Sequence, residues 1–258
     1  MPGGARHARP RVSSVNVLLI AVAALWGAAA GLLVPRAAHR LAVQPEEPWR
    51  DRCPAGHVLV GPARGWLGGP GRGECATAAP VAAPLLTALV CAALAAATGT
   101  PRPELAVWLL AAPFAVLLAC VDARVHRLPD GLTLPLAAAL PLLLGAAALL
   151  PYDAGSWLHA LLGALALGGG YLVLFLVNPS GLGFGDVKLA LPLGAALGWY
   201  GWGILFAGAF AGFLFGAAYG LGLVLLRRAG RSSAIPFGPF MLAGGLLGLL
   251  LGAFTAVP

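Results

Sequence analysis

The sequence predicts an all-α, polytopic membrane protein with about eight transmembrane helices and one larger cytoplasmic loop. Of its 258 residues, 60% are hydrophobic and 10% are charged, whereas a soluble domain devotes about a quarter of its residues to charged side chains. The apolar residues also form long runs that short polar connections separate. This composition excludes a disordered chain and a nucleic-acid-binding module. We therefore expect the lipid bilayer, and no nucleic acid, among its partners.

Eight apolar runs are long enough to be predicted as transmembrane helices. The hydrocarbon core of a bilayer is about 30 Å thick, which a helix of roughly 20 apolar residues crosses. Residues 189–226 carry no charge and are too long for one crossing, but the glycine and aromatic residues of 198–203 predict an interfacial turn. The predicted spans are residues 16–35, 80–99, 105–121, 133–150, 157–177, 187–203, 205–227 and 237–256.

The first run follows three arginines, as the apolar region of a secretory signal peptide also does. We predict a retained helix instead, because the run is some 20 residues long and seven further spans hold the protein in the membrane. The only sizeable segment between spans is residues 36–79, which is rich in Arg, Pro and Gly. We expect this segment to form a small, loosely ordered subdomain.

The distribution of basic residues predicts the orientation in the membrane. With eight crossings, the connections after spans one, three, five and seven lie on one face, and they hold 12 of the 16 basic residues. Because basic residues accumulate on the cytoplasmic side, we expect this face to be cytoplasmic. The chain is then a multi-pass protein of the cell inner membrane with both termini outside. The basic N-terminus, with Arg6, Arg9 and Arg11, argues locally for the opposite orientation.

Three of the nine carboxylates lie where a charged group is costly. Ionisable side chains at membrane depth are destabilising unless they are paired or hydrated, so their placement usually serves a function. Asp122, Asp130 and Asp186 lie at the edges of apolar runs. The other six lie in the large loop or in short outer connections, where we expect solvated side chains: Glu46, Glu47, Asp51, Glu74, Glu104 and Asp153.

Asp122 and Asp186 are predicted to lie on the same face of the membrane. Asp122 directly follows the apolar run 105–121, and Asp186 ends a glycine-rich stretch, residues 181–185. Two crossings separate them, so both belong to the face that we expect to be cytoplasmic. Glycines near Asp186 favour a close helix approach that aims the carboxylate inward. The alternative is that Asp186 only caps a helix.

Two facing carboxylates can perform acid and base chemistry together. They do not ionise together at close range, so they share a proton and titrate as a pair. One carboxylate can then accept a proton from a water that attacks a peptide carbonyl, while the protonated partner donates to the oxyanion and the leaving amine. This mechanism needs no metal and no cofactor. The same pair could relay protons in a membrane carrier, and the residues alone do not separate the two functions.

Three ordered blocks of sequence resemble the bacterial type IV prepilin leader peptidases, which are intramembrane aspartic proteases of the Gly-x-Gly-Asp kind. A lone Gly-x-Gly-Asp would be weak evidence, but three blocks in order make the resemblance specific over residues 105 to 258. The blocks are DARVHRLPDGLTLP at 122–135, GFGDVKL at 183–189 and AIPFGPF at 234–240.

The resemblance implies different roles for the polar residues of these blocks. It makes Asp122 and Asp186 the catalytic pair and leaves Asp130 out of it. We expect the Asp130 carboxylate to accept main-chain amides at the start of the next helix. Lys188 is expected to be a membrane-boundary anchor or a substrate contact. The third block is expected to form a rigid, proline-fixed entry to the last span that could line the site, without a direct role assigned to it.

The resemblance also implies the reaction. Its substrates are type IV prepilin or pseudopilin precursors, in which a short basic leader ends at a glycine before an apolar helix. Cleavage would take place at the cytoplasmic face, where the leader projects from the bilayer. The chain then divides into residues 1–104, the N-terminal helices with the loop 36–79, and residues 105–258, a six-helix peptidase core.

The large loop departs from the family's longer members, which carry two Cys-x-x-Cys pairs there and also methylate the new pilin N-terminus. Here Cys53 and Cys75 stand 22 residues apart with His57 near the first, and these three side chains fall short of a four-ligand zinc site. We expect two unpaired thiols and a degenerate loop. The departure argues against methyl transfer. Cys91 and Cys120, which lie in apolar runs, are expected to be packing residues.

A serine intramembrane protease is a further alternative to the carboxylate pair. Ser156 and His159 are three positions apart and could share a helix face, and Ser180 is a second candidate nucleophile. A helical serine beside a histidine is common by chance, so we favour the carboxylates.

Overall fold

The computed structural model is a bundle of helices in which none of the described residues forms a strand beyond one isolated bridge between Arg52 and Val58. The all-α polytopic membrane fold is therefore confirmed. The structure describes residues 14–44, 46–67, 81–179, 181–226 and 235–256.

Eight of the ten helices in these ranges coincide with the eight predicted spans. The other two, α2 and α3, are short segments of the large loop. The helices are α1 Ser14–Gly31, α2 Val34–Leu41, α3 Pro62–Gly65, α4 Ala82–Thr98, α5 Pro103–Val125, α6 Asp130–Ala147, α7 Trp157–Val177, α8 Phe184–Trp199, α9 Trp202–Leu225 and α10 Gly238–Thr255.

Six helical segments of the described chain are long and apolar enough to cross a membrane. These segments contain α1, α5, α6, α7, α9 and α10, whereas α4 is a shorter apolar helix and α8 has 16 residues. Helix α8 is also largely enclosed, because α6, α7, α9 and α10 all pack against it. A helix surrounded by protein does not itself have to match the thickness of the lipid core.

The predicted turn within the uncharged run 189–226 is confirmed. Helix α8 ends at Trp199 and α9 begins at Trp202. Gly201 between them has φ 102°, a backbone conformation that residues with a Cβ rarely adopt. The reversal therefore depends on a glycine as well as on its aromatic neighbours.

Glycines set the spacing between several helices, which composition alone did not reveal. A Cβ on Gly163 of α7 would lie 2.5 Å from the Gly194 carbonyl oxygen of α8. Similarly close approaches join Gly27 of α1 to α4 and Gly244 of α10 to Gly212 of α9. Small residues let membrane helices approach until their backbones touch. The most tightly held neighbour of α8 is thus α7, on the side of Gly194.

Asp122 at the end of α5 and Asp186 at the start of α8 lie at the same end of the bundle, which we call the aspartate end. The described part of the large loop covers this end, because Arg127 donates to the Val43 carbonyl at 3.4 Å. In α2, Arg36 and Arg40 are about nine-tenths buried. Their guanidinium groups donate to loop carbonyls, including that of Val60 at 2.7 Å and that of Arg64 at 3.2 Å.

The expectation of a loosely ordered loop is wrong for this part of it. The Arg40 guanidinium also stacks over the Trp66 ring at 4.4 Å, and the Trp66 ring contacts Trp49. These contacts hold the described part of the loop against α2. Residues 68–79 of the predicted subdomain, including Glu74 and Cys75, lie outside the described residues.

At the opposite end of the bundle, the prediction of a solvated Glu104 is wrong. Glu104 is 0% exposed in the first turn of α5. The neighbouring Arg102 is 7% exposed and donates to the Ala256 carbonyl at 2.8 Å, while Trp108 donates to the Tyr200 hydroxyl at 3.1 Å. The short connection between α4 and α5 is therefore folded into the bundle, and its charges do not project into solvent.

Candidate active site

Asp122 is a buried carboxylate in the last turn of α5. Its side chain is 4% exposed, and its Oδ2 accepts a hydrogen bond from the Gly238 amide at 2.9 Å. Helix α5 ends three residues later, at Val125, because His126 takes the left-handed conformation with φ 52°. The turn that follows carries the chain away from the carboxylate, so α5 presents Asp122 inward at its tip.

Asp186 occupies the first turn of α8. Its side chain is 8% exposed, and its Oδ2 accepts from the Gly183 amide at 3.2 Å, so it does cap the helix. The cap also directs the carboxylate into the bundle. Gly185 lies against Leu128, to whose Cβ an added Cβ would come within 3.1 Å. The start of α8 is thereby held against the turn between α5 and α6.

The structure brings the two predicted catalytic residues together. Asp122 and Asp186 lie within the range of an electrostatic interaction with each other, and Tyr171 of α7 lies within that range of Asp186. Each carboxylate receives a main-chain amide through Oδ2, from Gly238 and Gly183 respectively. Two buried acids held by separate amides form a site in which a proton can be shared.

The third sequence block supplies part of this site, through a main-chain contact that sequence analysis did not find. Gly238 begins α10 and donates its amide to Asp122, and a Cβ at this position would lie 2.8 Å from Asp122 Oδ2. The preceding Phe237 ring packs against Tyr171 and Phe213. The flanking prolines were noticed for rigidity, but the glycine between them makes the contact. Ala234 of the block lies outside the described residues.

The prediction that the Asp130 carboxylate accepts main-chain amides is wrong. Asp130 is the first residue of α6, but its carboxylate caps no main-chain amide. Its Oδ1 instead pairs with Lys188 Nζ at 2.6 Å. The lysine also lies over the Phe184 ring at 4.9 Å. The pair ties the start of α6 to the start of α8 beside the aspartates, which a prediction from helix-start patterns did not anticipate.

Breaking this ion pair is expected to cost little stability. The Asp130 side chain is 58% exposed, and exposed pairs contribute about 0.2–1 kcal/mol because water screens them. Lys188→Met should therefore lower the thermal unfolding midpoint in detergent only slightly. The difference from wild type should shrink as salt is added. A large loss that persists at high salt would show that the lysine does more than bridge two helix starts.

The geometry does not favour the serine protease alternative. Ser156 is the N-cap of α7, and its hydroxyl accepts from the main-chain amide of His159 at 3.4 Å. The His159 ring faces Trp202 instead, with ring centroids 6.4 Å apart. Both residues lie near Trp199, at the opposite end of α8 from Asp186. Ser180 lies outside the described residues.

The described residues contain no group of three or more His, Cys, Asp or Glu side chains that could hold a metal ion. Cys53 is buried with its Sγ 3.8 Å from His57 Nδ1, whereas Cys75 lies outside the described residues. Cys91 is fully buried in the apolar core, as expected of a packing residue.

Comparison with known proteins agrees with the resemblance to the leader peptidases, and the matched family segment contains the first two sequence blocks. Residues 109–221 match the model of the type IV leader peptidase family. The chain is 38% identical over 207 residues to the prepilin leader peptidase/N-methyltransferase of Aeromonas hydrophila, covering 72% of this chain and 64% of that protein. It is 32% identical over 209 residues to the protein of the same name from Pectobacterium carotovorum subsp. carotovorum, covering 75% of this chain and 70% of that protein.

A shorter match is to the prepilin leader peptidase/N-methyltransferase of Bacillus subtilis (strain 168). The two are 38% identical over 116 residues, which cover 44% of this chain and 44% of that protein. The chain spans 55% to 64% of the length of the Aeromonas relatives. No solved structure matches the chain. The match over 70% of the Pectobacterium protein, together with the family model, shows that this chain belongs to the type IV leader peptidase family.

Proposed function

We propose that this chain is an intramembrane aspartic endopeptidase that removes the basic leader from type IV prepilin-like precursors. The observation that carries the proposal is the meeting of two buried carboxylates, Asp122 and Asp186, at one end of a membrane bundle. Family membership and the printed names of the relatives support the reaction and the substrate class. The carrier alternative gains no support from either source.

In the proposed mechanism, a water molecule between the two carboxylates attacks the scissile carbonyl. The ionised carboxylate accepts a proton from the water, and the protonated one donates to the developing oxyanion. As the C–N bond breaks, the carboxyl group that took a proton from the water gives it to the leaving amine, and a hydroxyl of the tetrahedral intermediate returns a proton to the other carboxylate. The pair therefore ends with one proton, as it began. The amides of Gly238 and Gly183 hold one oxygen of each carboxylate in place. Such preorganisation lowers the cost of reaching the reactive geometry.

We assign the aspartate end to the cytoplasmic face of the cell inner membrane. Basic residues concentrate on the connections of this face, including Arg124 and Arg127 beside Asp122. A precursor whose apolar helix lies in the bilayer would present the peptide bond before that helix at the same depth. We also assign the peptidase core to residues 105–258, which contain the segment that matches the family model, and the N-terminal helices and loop to residues 1–104.

The experiment that tests the proposal is cleavage of a prepilin in membranes that contain this protein. Sequencing of the product should place its new N-terminus directly after the glycine that ends the leader. A precursor that stays intact beside correctly inserted enzyme would overturn the proposed substrate.

We do not extend methyl transfer to this chain. The printed names of the relatives include an N-methyltransferase activity, but the loop has only Cys53 and Cys75 where longer members carry two Cys-x-x-Cys pairs. Mass spectrometry of the cleaved pilin should therefore find an unmodified N-terminus. A product heavier by one methyl group, formed only with this enzyme, would contradict the assignment.

The loop thiols are expected to be dispensable for cleavage. In a Cys53→Ser, Cys75→Ser double variant, leader removal should proceed at about the wild-type rate, because neither thiol belongs to the carboxylate chemistry. The buried Cys53 has room for a serine of similar size. Rates measured in membranes with matched protein levels check this. Complete loss of cleavage by folded protein would give the loop a direct part in the reaction.

A further inference from the structure

An apolar cavity of about 300 Å³ runs between α4, α5, α6, α8 and α10. We call it the apolar slot. The lining side chains are apolar, and they are mostly alanines on α5 and mostly leucines on the other helices. Representative lining residues are Leu94, Ala115, Leu140, Leu193 and Leu246. Because other helices of the bundle pack closely, we expect a space of this size to be filled by another molecule or by side chains of one.

The slot begins at the aspartate site. Three of its lining residues are neighbours of the residues that build the site. Ala119 lies one helical turn before Asp122, and Leu189 lies one turn after Asp186. Pro239 directly follows Gly238, the amide donor to Asp122.

From this end, the slot continues along the helix axes into the depth of the bundle. On α5, its lining residues extend from Ala119 to Trp108, which corresponds to about 16 Å at 1.5 Å per residue. The slot therefore points from the carboxylates toward the middle of the membrane. A substrate helix that follows the scissile bond must take the same direction.

The side of the slot is open between α4 and α10. Leu86 of α4 is 48% exposed, and Ala243 of α10 is also exposed, although both line the slot. Lining residues on the protein side of the slot, such as Leu94 and Leu189, are at most 2% exposed. The two exposed residues mark the lips of an opening that faces the lipid. A membrane-embedded partner can reach the slot from the side without passing through water.

The width of the slot restricts what can enter it. A cavity of about 300 Å³ is much smaller than the space that 16 Å of helix occupies, which is roughly 1,500 Å³ for a helix about 10–12 Å across. A whole helix cannot enter. An extended main chain would bury amides among apolar side chains with no hydrogen-bond partners, which is strongly unfavourable. A row of apolar side chains satisfies both restrictions, because helices pack by placing ridges of side chains into grooves.

We propose that the apolar slot receives a ridge of side chains from the apolar helix that follows the scissile bond of the substrate. The substrate helix lies along the lips on α4 and α10, and its first turns insert apolar side chains into the slot. The peptide bond before the helix then lies where the slot begins at the aspartate end, between Asp122 and Asp186. This inference rests on the proposed function and adds the surface that holds the substrate.

Filling the slot should weaken substrate binding. Ala115→Phe places a large ring inside it, and Ala218→Phe is the matched control, because Ala218 is exposed on α9 at a similar distance from the aspartate end. We expect Ala115→Phe to raise KM for a membrane-embedded prepilin about ten- to hundredfold, the range for burying one or two large side chains. The value of kcat should change much less, and Ala218→Phe should match wild type. Equal kinetics for both variants would overturn the proposal.

Crosslinking tests the same contact without depending on the folding of a crowded variant. A photoreactive amino acid at position 115 or 218 is introduced into full-length Asp122→Asn protein, in membranes that contain prepilin. Adducts with the precursor at 115 and not at 218 are expected. Adducts at 115 with phospholipid alone would show that acyl chains fill the slot and would overturn the proposal. Cleavage by wild type distinguishes this failure from failure of the proposed function, which would leave the precursor uncut.

Discussion

Replacing either Asp122 or Asp186 with asparagine is expected to abolish cleavage of a prepilin. Asparagine keeps the size of the side chain and can still accept a main-chain amide, but it neither takes a proton from water nor returns one to the leaving amine. General acid or base catalysis contributes about 10²–10⁴-fold to a rate, so residual product should fall below detection in a membrane assay. The measurement is the shift of precursor to product on a gel over a time course.

Asp130→Asn is the matched control for this pair. It makes the same chemical change at the aspartate end, but at an exposed side chain whose partner is Lys188. Cleavage by this variant should stay near wild type, and all three variants should insert to the same level. If both Asp122→Asn and Asp186→Asn still cleaved the prepilin, the proposed carboxylate mechanism would be wrong.

Gly238→Ala is expected to lower the cleavage rate about a hundredfold while the protein remains folded. The added Cβ would lie 2.8 Å from Asp122 Oδ2, which is less than two atoms without a bond between them tolerate. Because this oxygen ends a side chain, the carboxylate can rotate away at small cost to the bundle. Asp122 would then lose the amide that positions it, and a displacement of about 1 Å in a catalytic group can cost a hundredfold in rate. Cleavage kinetics and thermal unfolding in detergent, compared side by side, check the expectation.

Gly170→Ala is the control for the glycine substitution. Gly170 lies within α7, and an added Cβ there would meet nothing within 4 Å. This variant should cleave at the wild-type rate and unfold at or slightly above the wild-type temperature, since alanine is the better helix former. If Gly238→Ala were as active as Gly170→Ala, the amide of residue 238 would have no part in positioning Asp122.

The helices and the turn at Gly201 were predictable because their signals are local. A run of apolar residues has to leave water whatever surrounds it, and its length indicates whether it is long enough to cross a bilayer. The shared end of Asp122 and Asp186 followed from counting crossings between them. The hydrogen bonds that hold them did not follow, since Gly238 and Asp122 are 116 positions apart.

Charged residues close to the bundle were the least predictable. Glu104, Arg36 and Arg40 occur in polar sequence that reads as solvent-exposed, yet the structure buries all three. Their burial depends on what other segments place around them, such as the loop carbonyls that accept from Arg36 and Arg40. The ion pair between Asp130 and Lys188 could not be predicted for the same reason, because the two helix starts meet only in the folded bundle.

Hydrophobicity in the sequence alone thus determined the all-α membrane fold and the positions of its apolar helices, and motif order singled out Asp122 and Asp186 for the prediction of a catalytic pair. The tertiary structure decided how the acids are held, which glycines let helices touch and where an apolar slot remains. The division has a physical basis. Partitioning into a membrane is a property of each segment by itself, whereas a hydrogen bond or a cavity exists only when distant segments are packed at fixed distances.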